Sequence, residues 1–198
     1  MRYTGRKLLL ISLALAVLAL VCAAPALGEG SVRISEVMSS NGTYKNGHAY
    51  DWVELHNVSG KTLDLSGYYM SDSAKKPFKW AFPEGTKVKK DGFLLVYCTG
   101  EEMEPGKGSV FYASFKLSAS GDEVVLTGPD GETVDSVSFP AQYGNIAWGL
   151  DKSGRWGYLE ESTPGKVNSG SACDSRAEAP VLLTEPGFYS GSVTVQAS

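Results

Sequence analysis

Apolar and polar residues alternate with a period of two along much of this chain, the spacing at which side chains point to opposite faces of a β-strand. The clearest case is the segment DWVELHN at positions 51–57. Val53 and Leu55 belong to one face of this predicted strand, and Glu54 and His56 belong to the other. We expect the first face to be buried in a core and Glu54 and His56 to face water.

Similar patterns predict strands elsewhere. Residues Val32 to Val37 alternate in the same way, whereas Gly92 to Cys98 is nearly all apolar and therefore predicts a central strand covered on both faces. The clearest predicted hairpin pairs residues 123–127 with 132–138 across Gly128-Pro129-Asp130-Gly131, a turn sequence between β-branched runs.

No window longer than a turn or two shows helical periodicity, and turn residues recur every ~8–12 residues, as in antiparallel sandwiches. The sequence therefore predicts an all-β protein, an antiparallel β-sandwich of about eight or nine strands. We place this domain at residues 29–168.

The first 28 residues carry the pattern of a secretory signal peptide. Arg2, Arg6 and Lys7 precede an apolar run from Leu8 to Ala24, and small residues suited to cleavage follow. Cleavage would leave a secreted or cell-surface protein with no membrane span. An uncleaved anchor is the alternative, because the apolar run is at the short limit for crossing a bilayer.

The C-terminal residues divide into two segments. Residues 169–179 are small and polar, which is typical of a linker. Residues 180–198 contain two further strand patterns, and we expect them to begin a second β module. A segment this short cannot bury a core of its own, so the pattern predicts an incomplete module.

The charge of the mature chain disfavours nucleic acid as a partner. Three of the 18 basic residues and none of the 22 acidic residues lie in positions 1–28, so cleavage leaves 15 basic residues against 22 acidic ones, a net charge of −7. Binding to phosphates depends on clustered Lys and Arg.

Two cysteines, Cys98 and Cys173, lie beyond the signal peptide. A disulfide between them is one reading, and a buried Cys98 with an exposed, unpaired Cys173 is the other. The sequence leaves both open, because it does not give their separation in space.

No pattern of catalytic, cofactor-binding or metal-binding residues stands out, so we predict no enzyme. His48, Asp51, Glu54 and His56 are the only close cluster of metal-ligand types, but polar alternation is what any half-exposed strand shows. A G-x-S-x-G nucleophile motif and a phosphate-binding loop are both absent.

Glycan binding is an alternative function, because exposed aromatic rings can stack on sugars. Tyr44 and Tyr143 lie in polar loops and are the candidate contact residues, together with Lys107. We expect partners to contact the loops at residues 39–47 and 98–108, since sandwiches of this kind bind through loops and strand edges.

Five short motifs, in the same order along the chain, resemble the lamin tail domain family. They are Ile34-Ser35-Glu36-Val37, Asp51-Trp52-Val53-Glu54-Leu55 with Asn57, Leu65-Ser66-Gly67-Tyr68-Tyr69, Phe115-Lys116-Leu117 with Gly121-Asp122, and Ser162-Thr163-Pro164-Gly165 with Asn168. The resemblance implies an immunoglobulin-like β-sandwich. With the signal peptide, it points to the bacterial extracellular branch of that family.

The resemblance implies a non-catalytic binding, adhesion or scaffolding module, whose partner is a protein, a surface or matrix component, or a glycan. Residues 180–198 resemble the start of a chitobiase C-terminal or fibronectin-III-associated module, which occurs beside CotH-type kinase domains. This second resemblance implies the alternative function, an accessory region of a larger extracellular enzyme.

Overall fold

The computed structural model describes residues 31–43, 48–105, 110–175, 177, 183–185 and 187–195. The predicted signal peptide and two of the candidate contact residues, Tyr44 and Lys107, lie outside these residues. The predictions made for them stay predictions.

The described residues form thirteen strands and no helix. The strands are β1 (Val32–Met38), β2 (Asp51–Asn57), β3 (Leu63–Asp64), β4 (Tyr69–Ser71), β5 (Trp80–Ala81), β6 (Lys87–Val88), β7 (Phe93–Cys98), β8 (Phe111–Ala113), β9 (Gly121–Thr127), β10 (Thr133–Pro140), β11 (Trp148–Leu150), β12 (Trp156–Leu159) and β13 (Ala172–Cys173).

These strands build two main sheets that pack face to face. One sheet has seven strands in the order β13-β12-β11-β1-β2-β7-β8, the other has four in the order β10-β9-β4-β5, and β3 pairs with β6 beside them. Every pairing is antiparallel except that between β7 and β8. The prediction of an all-β, immunoglobulin-like sandwich is confirmed.

The core lies between the two sheets. Ile34 and Leu55 on the seven-stranded sheet and Met70 and Leu126 on the four-stranded sheet are fully buried members of one apolar cluster. Val53 and Leu55 therefore face the core as the alternation predicts. The strand count exceeds the predicted eight or nine, and four of the strands, β3, β5, β6 and β13, have only two residues each.

The predicted hairpin is the β9–β10 pair. Its turn closes through the Gly131 N–H, which donates to the Gly128 carbonyl at 3.0 Å, and the Gly128 N–H, which donates to the Glu132 carbonyl at 2.8 Å. Gly131 has φ of 85°, a conformation that glycine adopts without strain.

The prediction that β7 is covered on both faces is wrong. Leu94, Val96 and Cys98 are buried against the core, but the alternate side chains Phe93, Leu95 and Tyr97 are only half-buried. The nearly continuous apolar run arises because the outer face of β7 is aromatic and aliphatic while remaining partly open to solvent.

Both cysteines are free thiols in the structure. Cys98 is buried in the core and Cys173 is exposed. Of the two readings that the sequence left open, the structure has the unpaired one, and burial raises the pKa of the Cys98 thiol well above its ordinary value.

Strand β13 lies inside the segment that the composition indicates as a linker. Ala172 pairs with Leu159 of β12 and is only 1% exposed, and its N–H donates to the Asp151 carboxylate at 3.2 Å. Arg155 reaches Asp174 at 2.8 Å. The seven-stranded sheet thus includes residues beyond 168. The small and polar composition of this segment does not predict a strand there.

Candidate binding site

The outer face of the seven-stranded sheet carries the residues of functional interest. Trp52 and Glu54 of β2 lie opposite Tyr97 and Leu95 of β7, and Tyr112 of β8 lies beside Tyr97. Because side chains alternate along each strand, all five project from the face that points away from the core.

One half of this face is covered by residues 162–168, which we call the covering segment. Its Thr163 N–H donates to the carboxylate of Glu36 at 3.3 and 3.4 Å, and its Gly165 N–H donates to the carboxylate of Glu54. Asn168 fixes the segment, since its side-chain amide donates to the Leu150 carbonyl at 2.8 Å.

The prediction that Glu54 faces water is therefore wrong. Glu54 does lie on the outer face, but the covering segment leaves it 0% exposed, as it does Glu36. The two residues are register partners only because β1 has a bulge between Ile34 and Glu36, and the hydroxyl of Ser35 in that bulge donates to the Glu54 carboxylate at 2.8 Å.

Burial raises the pKa of both carboxyl groups. The pKa of Glu36 rises from 4.5 to about 8, chiefly through burial and then through the charge of Glu54. Burial also raises the pKa of Glu54 from 4.5 to about 7, against the opposing hydrogen bonds from Gly165 and Ser35. Burial therefore favours the protonated form of both carboxyl groups, and the charge of Glu54 adds to this effect at Glu36.

The other half of the face forms an open depression of about 500 Å³, which we call the aromatic groove. Three half-buried rings stand in it: Tyr97 and Tyr112 have centroids 6.1 Å apart, and Tyr50 lies 6.5 and 6.4 Å from them. The imidazole of His48 stacks on Tyr50 at 4.8 Å. Trp52, which is buried, also lines the groove.

Hydrogen bonds hold the polar rim of the aromatic groove in place. The side chain of Asn41 donates to the Tyr50 carbonyl at 2.7 Å, and the Asn41 N–H donates to Asp51 at 3.1 Å. The Gly42 N–H donates to the side-chain oxygen of Asn145 at 2.7 Å, which ties two loops together. Burial raises the pKa of Asp51 above its ordinary value.

The candidate contact residue that the structure describes, Tyr143, lies outside the aromatic groove. It is 37% exposed, and its ring packs against Tyr158 with centroids 5.3 Å apart. Sequence reasoning missed Tyr97 and Tyr112, because nothing in the pattern says which face of β7 and β8 stays open. A signal does exist in the aromatic residues that alternate with core residues in both strands.

The metal-ligand types near position 50 are separated by the fold. His48 stacks in the aromatic groove, Glu54 is sealed beneath the covering segment, and His56 stacks on Phe93 at 4.3 Å. Among the described residues there is no group of three or more side chains suited to hold a metal ion.

The comparisons with known proteins decide the family. The model of the Lamin Tail Domain family matches residues 25–141, more than half of the chain. The chain belongs to the lamin tail domain family. Such domains are immunoglobulin-like modules that generally mediate interactions and are not a known catalytic family. A search of curated proteins finds no match.

The matched range of this lamin tail domain contains Glu36, Glu54 and the rings of the aromatic groove, and it ends before the covering segment. In the part of the chain that the structure describes, no helix is long and apolar enough to cross a membrane.

Proposed function

We propose that this lamin tail domain is a secreted or cell-surface binding module that engages its partner through the aromatic groove and catalyses no reaction. The observation that carries the proposal is the cluster of half-buried tyrosines on an open sheet face. Contiguous exposed apolar patches are uncommon on soluble monomeric proteins and often mark interaction sites, and tyrosine is enriched among the residues that contribute most to binding.

The position of the rings favours binding. Tyr97 and Tyr112 stand on paired strands, and Tyr50 directly precedes β2, so the sheet fixes their separation before a partner arrives. Tyrosine supplies a large contact area with few rotatable bonds, which keeps the entropy cost of binding low. The groove is also within the size range of ligand sites.

The chemistry of the site favours binding over catalysis. Among the described residues, Glu36 and Glu54 have carboxyl pKa values raised to near neutrality, but both are covered and hydrogen-bonded by the covering segment. The described lining of the aromatic groove contains no Asp, Glu, Cys, Lys or Arg, and its imidazole, His48, is stacked on a ring. A general acid or base needs a substrate within hydrogen-bond reach, which the covered pair lacks.

Secretion is supported by the sequence of residues 1–28 and by the acidic balance of the remaining chain. A secreted module meets its partner outside the cell, so we expect that partner to be a protein or another component of the cell surface or matrix.

The test is a capture experiment with the mature chain, beginning at residue 29, immobilised against surface extract of its own cell. We expect Tyr50→Ala and Tyr112→Ala each to weaken binding of the captured component tenfold or more, since truncating a hot-spot residue costs ~2 kcal/mol or more. Tyr143→Ala is the matched control, because it removes a more exposed tyrosine outside the groove. Circular dichroism would verify that each variant is folded.

Loss of capture with Tyr143→Ala, together with full capture by both groove variants, would contradict the proposal and would favour the loop at residues 141–146 instead.

A further inference from the structure

We propose that the ligand of the aromatic groove is a neutral oligosaccharide. This inference rests on the proposed function, because it names the ligand class of the same site. Three features of the groove point to it: the uncharged character of its described lining residues, the orientation of its rings and the chemistry of its rim.

The first feature is charge. The described residues that line the aromatic groove include no Asp, Glu, Lys or Arg, although the chain is one-fifth charged. A charged ligand that is desolvated in the groove would find no counter-ion there, and an unpaired buried charge is costly. The lining therefore suits a neutral ligand.

The second feature is the orientation of the rings. The Tyr97 and Tyr112 planes lie 31° apart, whereas Tyr50 is tilted from them by 59° and 76°. Pyranose rings present apolar C–H faces that pack on aromatic faces, which combine a large apolar area with a polar hydroxyl. Rings in more than one plane can pack on successive units of a bent chain, which favours an oligosaccharide over a single sugar.

The third feature is the rim. Asn41, Thr43, Asn145 and Ser162 place amide and hydroxyl groups around the rings. The Gly42 N–H at 2.7 Å holds the Asn145 side chain, so its amide is oriented before the ligand binds. Amides and hydroxyls can both donate and accept hydrogen bonds, as sugar hydroxyls do.

A peptide that extends the sheet is a poorer fit. The edge strand beside the groove is β8, which has only three residues, Phe111–Ala113. An added strand needs free backbone groups along the edge. This three-residue strand therefore offers too few of them.

The experiment is a binding titration of the mature chain with neutral trisaccharides of glucose, mannose and N-acetylglucosamine. Trisaccharides that contain a uronic acid serve as charged comparators, and isothermal calorimetry or ligand-observed NMR gives the affinity. We expect at least one neutral trisaccharide to bind. Tyr112→Ala should weaken it about tenfold or more, and Tyr112→Phe should weaken it only a few-fold, because stacking is retained. Tyr143→Ala should leave the affinity unchanged.

The outcomes separate this inference from the proposed function. If the capture of a surface component depends on Tyr50 and Tyr112 but no neutral trisaccharide binds at millimolar concentration, the ligand class is wrong and the groove remains the binding site. Tighter binding of the uronic-acid comparators would also overturn the inference. If the groove variants alter neither capture nor saccharide binding, the proposed function fails as well.

Discussion

Raising the pH from about 4.5 to about 8 should lower the free energy of unfolding of this domain by an amount on the order of 5 kcal/mol, since one pKa unit corresponds to about 1.4 kcal/mol and two groups contribute. The cause is the covered carboxyl pair, in which the pKa of Glu36 is raised to about 8 and that of Glu54 to about 7. The folded state then binds more protons than the unfolded state across this range. The stabilisation is complete below pH 4.5 and is lost as the pH rises through 7 and 8.

Other titratable groups change how steeply the free energy of unfolding falls with rising pH, but they do not reverse the trend. Burial also raises the pKa of Asp51 and Asp135, which adds to the same trend. Burial, followed by the charge of Arg33, lowers the pKa of His56, so this residue opposes the trend as the pH rises through 6.5. Hydrogen bonds hold the pKa values of Asp64 and Asp151 below the ordinary range, and their contribution is lost only at more acidic pH.

Urea denaturation at a series of pH values measures this effect, and Glu36→Gln isolates its source. Glutamine keeps an oxygen to accept the Thr163 N–H but cannot ionise, so the variant should show a shallower slope and exceed the wild type in stability at pH 8.5. Glu161→Gln changes an exposed glutamate next to the covering segment and should retain the wild-type slope. A wild-type stability that stays flat from pH 5 to 8.5 would contradict the burial of the pair.

Replacing Asn57 should destabilise the domain by about 3 kcal/mol or more, because each buried polar group left unsatisfied costs ~1–3 kcal/mol. The Asn57 side chain is fully buried, and its amide donates to the carbonyls of Lys61 at 2.7 Å, Val88 at 2.9 Å and Lys89 at 2.9 Å. Its oxygen accepts from the Ser59 N–H at 2.9 Å. Asn57→Ala removes the group that satisfies all of these.

Asn57→Asp makes the prediction specific. Aspartate has nearly the same shape but no donor, so it would place a carboxylate against three carbonyl oxygens and should destabilise the domain at least as much as alanine does at neutral pH. Ser59→Ala removes a hydroxyl that donates to the same side chain and should cost less than ~1 kcal/mol. Thermal unfolding of the three variants checks this. A small effect of Asn57→Asp would mean that the three carbonyl contacts are not stabilising.

The fold could be predicted because its main strands carry their pattern locally. Val53 and Leu55 alternate with residues of the other face, and the Gly128 to Gly131 turn has the residue types that its geometry needs. These signals lie within a few residues of each other, and the structure has both the strand and the hairpin.

The site could not be predicted in the same way, because it depends on contacts between distant parts of the chain. The sequence pattern places Glu54 on the solvent-facing side of its strand. In the structure, however, the N–H of Gly165, 111 positions later, donates to the Glu54 carboxylate. The one-residue bulge at Ser35 aligns Glu36 with Glu54, and a strict alternation cannot show such a shift. Tyr112 joins Tyr97 only through the parallel β7–β8 pairing.

Hydroxyl-radical footprinting of the mature chain, free and bound to surface extract of its own cell, tests the proposed binding site most directly. If the aromatic groove is that site, oxidation of Tyr50 and Tyr112 should fall on binding, while Tyr143 and the exposed Phe78 should be unchanged. Protection of Phe78 and its neighbour Tyr69 on the four-stranded sheet, with the groove tyrosines still oxidised at their free rate, would contradict the proposal.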